Sequence, residues 1–202
     1  MGALILLLIL CKPLFAGVPG ELRMEKGFFV IRYDAGDAGI AASLIREAPA
    51  IRERIITDIG MDFAEITEIR LCPTLEAFRD AQPGRTRVPM WAVGVAYPEE
   101  NVIVLRSPRA VKGSPADVID IFAHEFSHIA IGRALRGVAV PVWLDEGLAI
   151  YEAREWNFSR ISVLTRASLM DRLIPLKVLT RSFPVDERDA ELAYAESFMF
   201  IS

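Results

Sequence analysis

Both histidines of this 202-residue chain fall within one pentapeptide, His124-Glu125-Phe126-Ser127-His128. Just before it, Ser114-Pro115-Ala116-Asp117 reads as a helix start, with Ser as the cap, Pro at the first helical position and an acid three residues after the cap. The helix this predicts runs to Gly137. Two residues four apart lie just over one turn apart on a helix, so the two imidazoles face the same way. Neutral imidazole is a good zinc ligand, and Glu125, one step round the helix, stands where it can take a proton from a metal-bound water. Apolar Ile121, Phe126, Ile129 and Ile131 surround the group. A lone histidine in that setting reads as a packed core residue; the pair plus the acid reads as a metal site.

Two histidines do not complete a catalytic zinc site, which takes three protein ligands and keeps an open position. The candidate third ligand is Glu146, in Trp143-Leu-Asp-Glu-Gly-Leu-Ala149. A loop ending in Pro141 reverses the chain, so a second helix from Val142 to Glu152 can pack against the first, with small Gly147 and Ala149 allowing close approach. Asp145 is the alternative ligand, or a group that orients a histidine from behind. The plainer reading of Asp145 and Glu146 is a solvated acidic pair at a helix N-terminus.

Upstream lie the strands. Phe28 to Tyr33 reads as a strand, and Ile40, Leu44, Ile51, Ile55 and Ile59 then mark a helix that Pro49 should kink or split and Gly60 should end. Glu68 to Cys72 is a second strand, and Thr74 caps a short helix through Phe78. Trp91–Tyr97 and Val102–Leu105 form a hairpin across Pro98-Glu-Glu-Asn101, and Gly94 marks either a bulge or a close approach by another backbone. From Phe158 on, the chain looks helical in pieces. Strands first and helices after argue an α+β fold rather than a βαβ sheet.

The net charge is −4, and the 23 Lys and Arg are scattered, so no nucleic-acid face is expected. Ala3 to Leu10 is an apolar run closed by Lys12-Pro13, with small residues at Ala16 and Gly17. Residues 1–17 therefore read as an export signal, and the chain as exported: periplasmic, extracellular or tethered to a membrane through its N-terminus. Cys11 invites a lipoprotein reading, against which Leu10 precedes it. With the signal removed Cys72 stands alone, so no disulfide framework exists, and Cys72 reads as a small buried apolar residue.

The pattern His124-Glu125-x-x-His128, then Trp143-Leu-Asp-Glu146-Gly-Leu-Ala after 17 intervening residues, resembles the gluzincin zinc metallopeptidases, and more narrowly small bacterial proteins with a peptidase MA-like domain. The resemblance implies a zincin-like mixed sheet with an antiparallel edge strand and an active-site helix over residues 27–137, then a helical subdomain over 138–202. It implies Zn2+ held by His124, His128 and Glu146, Glu125 as general base, and a peptide substrate lying along Trp91–Tyr97. It also makes Tyr194 the candidate oxyanion donor; on its own residues Tyr194 reads equally as a half-buried helix position, and Tyr151 as a packing residue.

Two features depart from the family pattern. Ile150 stands where many gluzincins carry an Asp supporting a histidine, leaving Asp120, one turn before His124, as a weak substitute. The recognition motif of the related aminopeptidases is missing. The apolar Phe198-Met-Phe200-Ile just before Ser202 carries no helix stop, so further residues are expected to complete that helix. Two rival functions fit the same residues: a catalytically silent zinc-binding module of the cell envelope, and a zinc hydrolase acting on a non-peptide amide.

Overall fold

A computed structural model describes residues 21–84, 88–111, 115–136, 138–154, 172–184 and 186–201, together with residues 164, 167, 169 and 170. The expected export signal, the Ser114 cap and the Gly137 helix end lie outside these residues. Among the described residues no helix is long and apolar enough to cross a membrane.

The sheet has five strands: β1 (Leu22–Lys26), β2 (Phe29–Tyr33), β3 (Thr67–Cys72), β4 (Gly94–Tyr97) and β5 (Val102–Arg106). Their spatial order is β1-β2-β3-β5-β4. The two outer pairs are antiparallel hairpins, while β2/β3 and β3/β5 are parallel. The first hairpin turns at Gly27, whose φ of 57° suits glycine. The fold is thus α+β with a mixed sheet, as expected. One expectation is corrected: β2 and β3 are joined by helix α1 (Ala38–Ile59) as a parallel βαβ crossover.

Helix α1 also runs through Pro49 unbroken. Its buried side, Ala41, Leu44, Ile45 and Ala48 before the proline and Arg52 and Ile55 after it, is held on both sides of the missing hydrogen bond. Gly60 ends the helix at φ 76°, its N–H reaching the carbonyls of Ile56 and Thr57. Thr74 caps α2 (Leu75–Asp80) by accepting from the Ala77 N–H.

Helix α3 (Pro115–Ala134) lies with α1 against one face of the sheet. Phe122 and Phe126 point into the core, where the Phe29 ring meets them edge-on at centroid distances of 5.6 and 5.4 Å. All three are essentially buried, each worth about 3 kcal/mol of burial. Because Phe122 and Phe126 fix one side of α3 inward, residues 124 and 128 turn to the other side.

Helix α4 (Val142–Ala153) packs between α3 and the last helix, α6 (Glu187–Met199), with the short α5 (Leu176–Leu179) beside it. Gly147 makes room for α6 rather than α3: a Cβ there would stand 2.6 Å from the Ser197 carbonyl oxygen. Tyr151 is exposed rather than packed. At the far end of α4, buried Glu152 pairs with Arg54, which donates to its carboxylate and its carbonyl and so ties α4 to α1.

Candidate active site

The outward side of α3 carries His124 and His128, with ring centroids 5.1 Å apart. The first turns of α4 bring Glu146 against them. Its Oε2 lies 3.3 Å from His124 Nε2 and 3.6 Å from His128 Nε2. The ligating atoms of the three residues all fall within 4.8 Å of one another, close enough for one ion.

This oxygen of Glu146 is buried and makes no hydrogen bond to protein. A buried carboxylate oxygen left without a donor is costly, and it is aimed between two imidazole nitrogens. Two nitrogens and one oxygen at this spacing fit a divalent cation of the zinc type.

Without an ion, protons take over part of that role. Burial disfavours a charged His128, but the Glu146 carboxylate, with Asp145 behind, outweighs it and raises the imidazole well above its ordinary 6.5. At His124 burial is likewise overcome, chiefly by the adjoining Glu146 carboxylate, and the shift is again upward. Burial would raise Glu146, yet the charge on His128 and the nearness of His124 hold it well below the usual carboxylate range.

Asp145 is not in the ligand cluster. Its Oδ1 lies 3.1 Å from His128 Nδ1, on the opposite side of the ring from Glu146, close enough for an ion pair although off the line of a straight hydrogen bond. Asp120 is exposed.

Glu125 is buried, one step round α3 toward the sheet edge. Helix α3 contacts strand β4 there, and the Glu125 side chain lies directly against Gly94. Gly94 pairs with Leu105 in regular register, so it is not a bulge; what approaches it is a pair of α3 side chains, not a backbone. The edge strand itself is shorter than expected, Gly94–Tyr97 instead of Trp91–Tyr97.

These groups line a cleft of about 560 Å³. One wall is formed by residues 91–96, the other by Phe183, Pro184 and Tyr194. The Tyr194 ring stands edge-on between Phe183, at 5.0 Å, and His124, at 6.3 Å. Phe183 and Pro184 were missed in the sequence, where nothing distinguishes them from loop residues. Gly94 was noticed there for a different reason.

A family profile for the peptidase MA superfamily matches residues 57–202. The chain belongs to the peptidase MA superfamily. The match spans β3 to α6 and so includes every residue of the cleft. No curated protein matches the chain. Membership of the peptidase MA superfamily points to a metallopeptidase-like function, and that superfamily is typically metal-dependent. The cluster of His124, His128 and Glu146 is where the residues of this member could hold the ion.

Proposed function

We propose that this member of the peptidase MA superfamily is a zinc-dependent peptidase of the gluzincin type, with His124, His128 and Glu146 holding Zn2+ and Glu125 as general base. The observation that carries the reading is the convergence of three ligating atoms from two helices, with a fourth, non-ligating carboxylate on the same cleft. A metal bound there supplies positive charge that acidifies water and polarises a carbonyl.

The chain's own groups then do the rest. Glu125 accepts a proton from the water as its oxygen bonds to the peptide carbonyl carbon. The C–N bond breaks, and Glu125 returns that proton to the leaving nitrogen. The Tyr194 hydroxyl donates to the oxygen that gains negative charge. The substrate is a peptide extended along residues 91–97. An edge strand offers unpaired backbone groups to a further strand, and β4 is an edge of this sheet. The protein is exported, by the apolar run that opens the sequence.

The test is metal analysis of the purified chain together with a peptide-library cleavage profile, run beside Glu125→Gln. Zinc near one per chain in both proteins is expected, with hydrolysis lower by about a hundredfold or more in the variant. Zinc without turnover on any peptide would replace the peptidase with a silent binding module. Equal hydrolysis by Glu125→Gln would overturn the mechanism.

A further inference from the structure

Strand β4 places small residues at 94 and 96, on the side that faces α3. Gly94 pairs with Leu105 and Ala96 with Ile103, both core residues of the α3-facing layer. Ala96 packs against that layer, whereas Gly94 meets the two α3 residues Ile121 and Glu125. A Cβ built at Gly94 would stand 2.6 Å from Glu125 Oε1, 2.9 Å from Glu125 Cγ and 2.8 Å from Ile121 Cγ2. All three distances are shorter than side chains tolerate, and two are to the same carboxyl-bearing chain.

Backbone conformation does not call for glycine here. Gly94 is not among the positive-φ glycines, and it sits in a regular antiparallel ladder. A strand interior is in fact a poor place for glycine, which costs conformational entropy and packs nothing. Space is what position 94 provides. Glu125 is a long side chain with several χ angles, and its buried carboxylate has to stand in one place to act on a water. The absence of a side chain at 94 opens that place, and the Gly94 backbone forms its floor.

We infer that Gly94 is a positioning residue for Glu125: its bare Cα is the seat that fixes where the general base stands in the cleft. This rests on the proposed role of Glu125. It adds that the edge strand contributes to the reaction through a missing side chain, besides any contact with substrate. Alanine at 94 drives the carboxylate off its seat, whereas His124, His128 and Glu146 are not among the groups its Cβ would meet first.

The experiment is a double-mutant cycle between positions 94 and 125. In the wild-type background, Gly94→Ala should lower kcat by about a hundredfold, as an ångström of misplacement does, with KM and zinc content unchanged. Glu125→Asp keeps a carboxylate but withdraws it by one methylene. In that background the loss in kcat caused by Gly94→Ala should be smaller by about tenfold, because the Oε1 contact is gone while those with Cγ and Ile121 remain. Equal losses in both backgrounds, or no loss in the wild type, would overturn the inference, because a purely structural role for Gly94 costs the same whatever stands at 125.

Melting temperatures of the ion-free proteins give the same coupling without turnover. Gly94→Ala should lower Tm in the wild type, and should lower it less in Glu125→Ala, where the contact with Ile121 alone remains. Zinc binding without hydrolysis by the wild type would sink the peptidase reading alone; loss of the thermal coupling would sink the contact at Gly94. If Gly94→Ala does not fold, the cycle is run in an Ile121→Ala background. There the Ile121 methyl is gone and Glu125 remains in the way.

Discussion

Asp145 Oδ1 lies 3.1 Å from His128 Nδ1 while Glu146, the next residue, faces Nε2 of the same ring. One turn of α4 therefore holds the ring from both sides. A carboxylate behind a metal-binding imidazole orients it and makes it a better donor. Loss of such a group costs about 10–100-fold in metal affinity. Asp145→Asn should weaken zinc binding by that factor, read by competition with a chromophoric chelator, and should leave Tm of the ion-free protein less affected than Glu146→Gln does. Unchanged zinc affinity would leave His128 oriented by packing alone.

The ion-free protein should have a pH optimum of its own. The imidazoles of His124 and His128 are raised above 6.5, so their contribution to stability is complete below that pH and is lost as pH rises through their folded values. Glu146 is lowered from 4.5, so its contribution is complete above that pH and is lost as pH falls. Both are present together between pH 4.5 and 6.5. Zinc competes with the same protons, so the Tm gained on adding zinc should grow as pH rises. Melting curves from about pH 4 to 9, with a chelator and with zinc, measure both trends. A chelated protein whose stability is flat above neutrality would contradict the first.

Much of this site was legible because its information is local. The spacing of His124 and His128 on an expected helix and the Trp143–Ala149 run point to the three residues that the fold brings together, and α4 was expected over Val142–Glu152 and is found over Val142–Ala153. What was missed is non-local. Strand β1 is an exposed edge in which only Met24 is even half-buried, so it carries no hydrophobic alternation to read. The β2–α1–β3 crossover depends on which strands pair, and the reading of strands first and helices after passed over it. Arg54 and Glu152 lie 98 residues apart, and neither stands out until the fold joins them. The reason for glycine at 94 lies in side chains of α3.

Cys72 tests the burial of β3. Burial pushes its thiol up to about 12, with only partial relief from Arg70. Near pH 8 the thiolate fraction is then about three orders of magnitude below that of an ordinary thiol. With Cys11 replaced by Ser, the native protein should resist iodoacetamide at pH 8 and react fully in denaturant. Rapid alkylation of the native protein would mean that β3 opens far more readily than its packing against Phe78 and Val104 implies.

Tyr194 is held in the cleft by α6, its ring edge-on to Phe183 and to His124. Helix α6 is itself fixed to α4, where the bare flank of Gly147 lets the Ser197 carbonyl approach. The ring is thus placed by packing between Phe183 and His124. In the proposed reaction negative charge grows on the carbonyl oxygen opposite the attacking water. A single donor aimed at such an oxygen contributes about 3 kcal/mol, or about a hundredfold in kcat. Tyr194→Phe removes the hydroxyl and keeps the ring between its two neighbours. It should lower kcat by that factor and leave KM and zinc content unchanged, the pattern of an interaction made only in the transition state. Tyr194→Ala should in addition lower Tm, because Phe183 loses its partner. Equal kcat for Tyr194→Phe and the wild type would reduce Tyr194 to a wall of the cleft and leave the metal alone to stabilise the oxyanion.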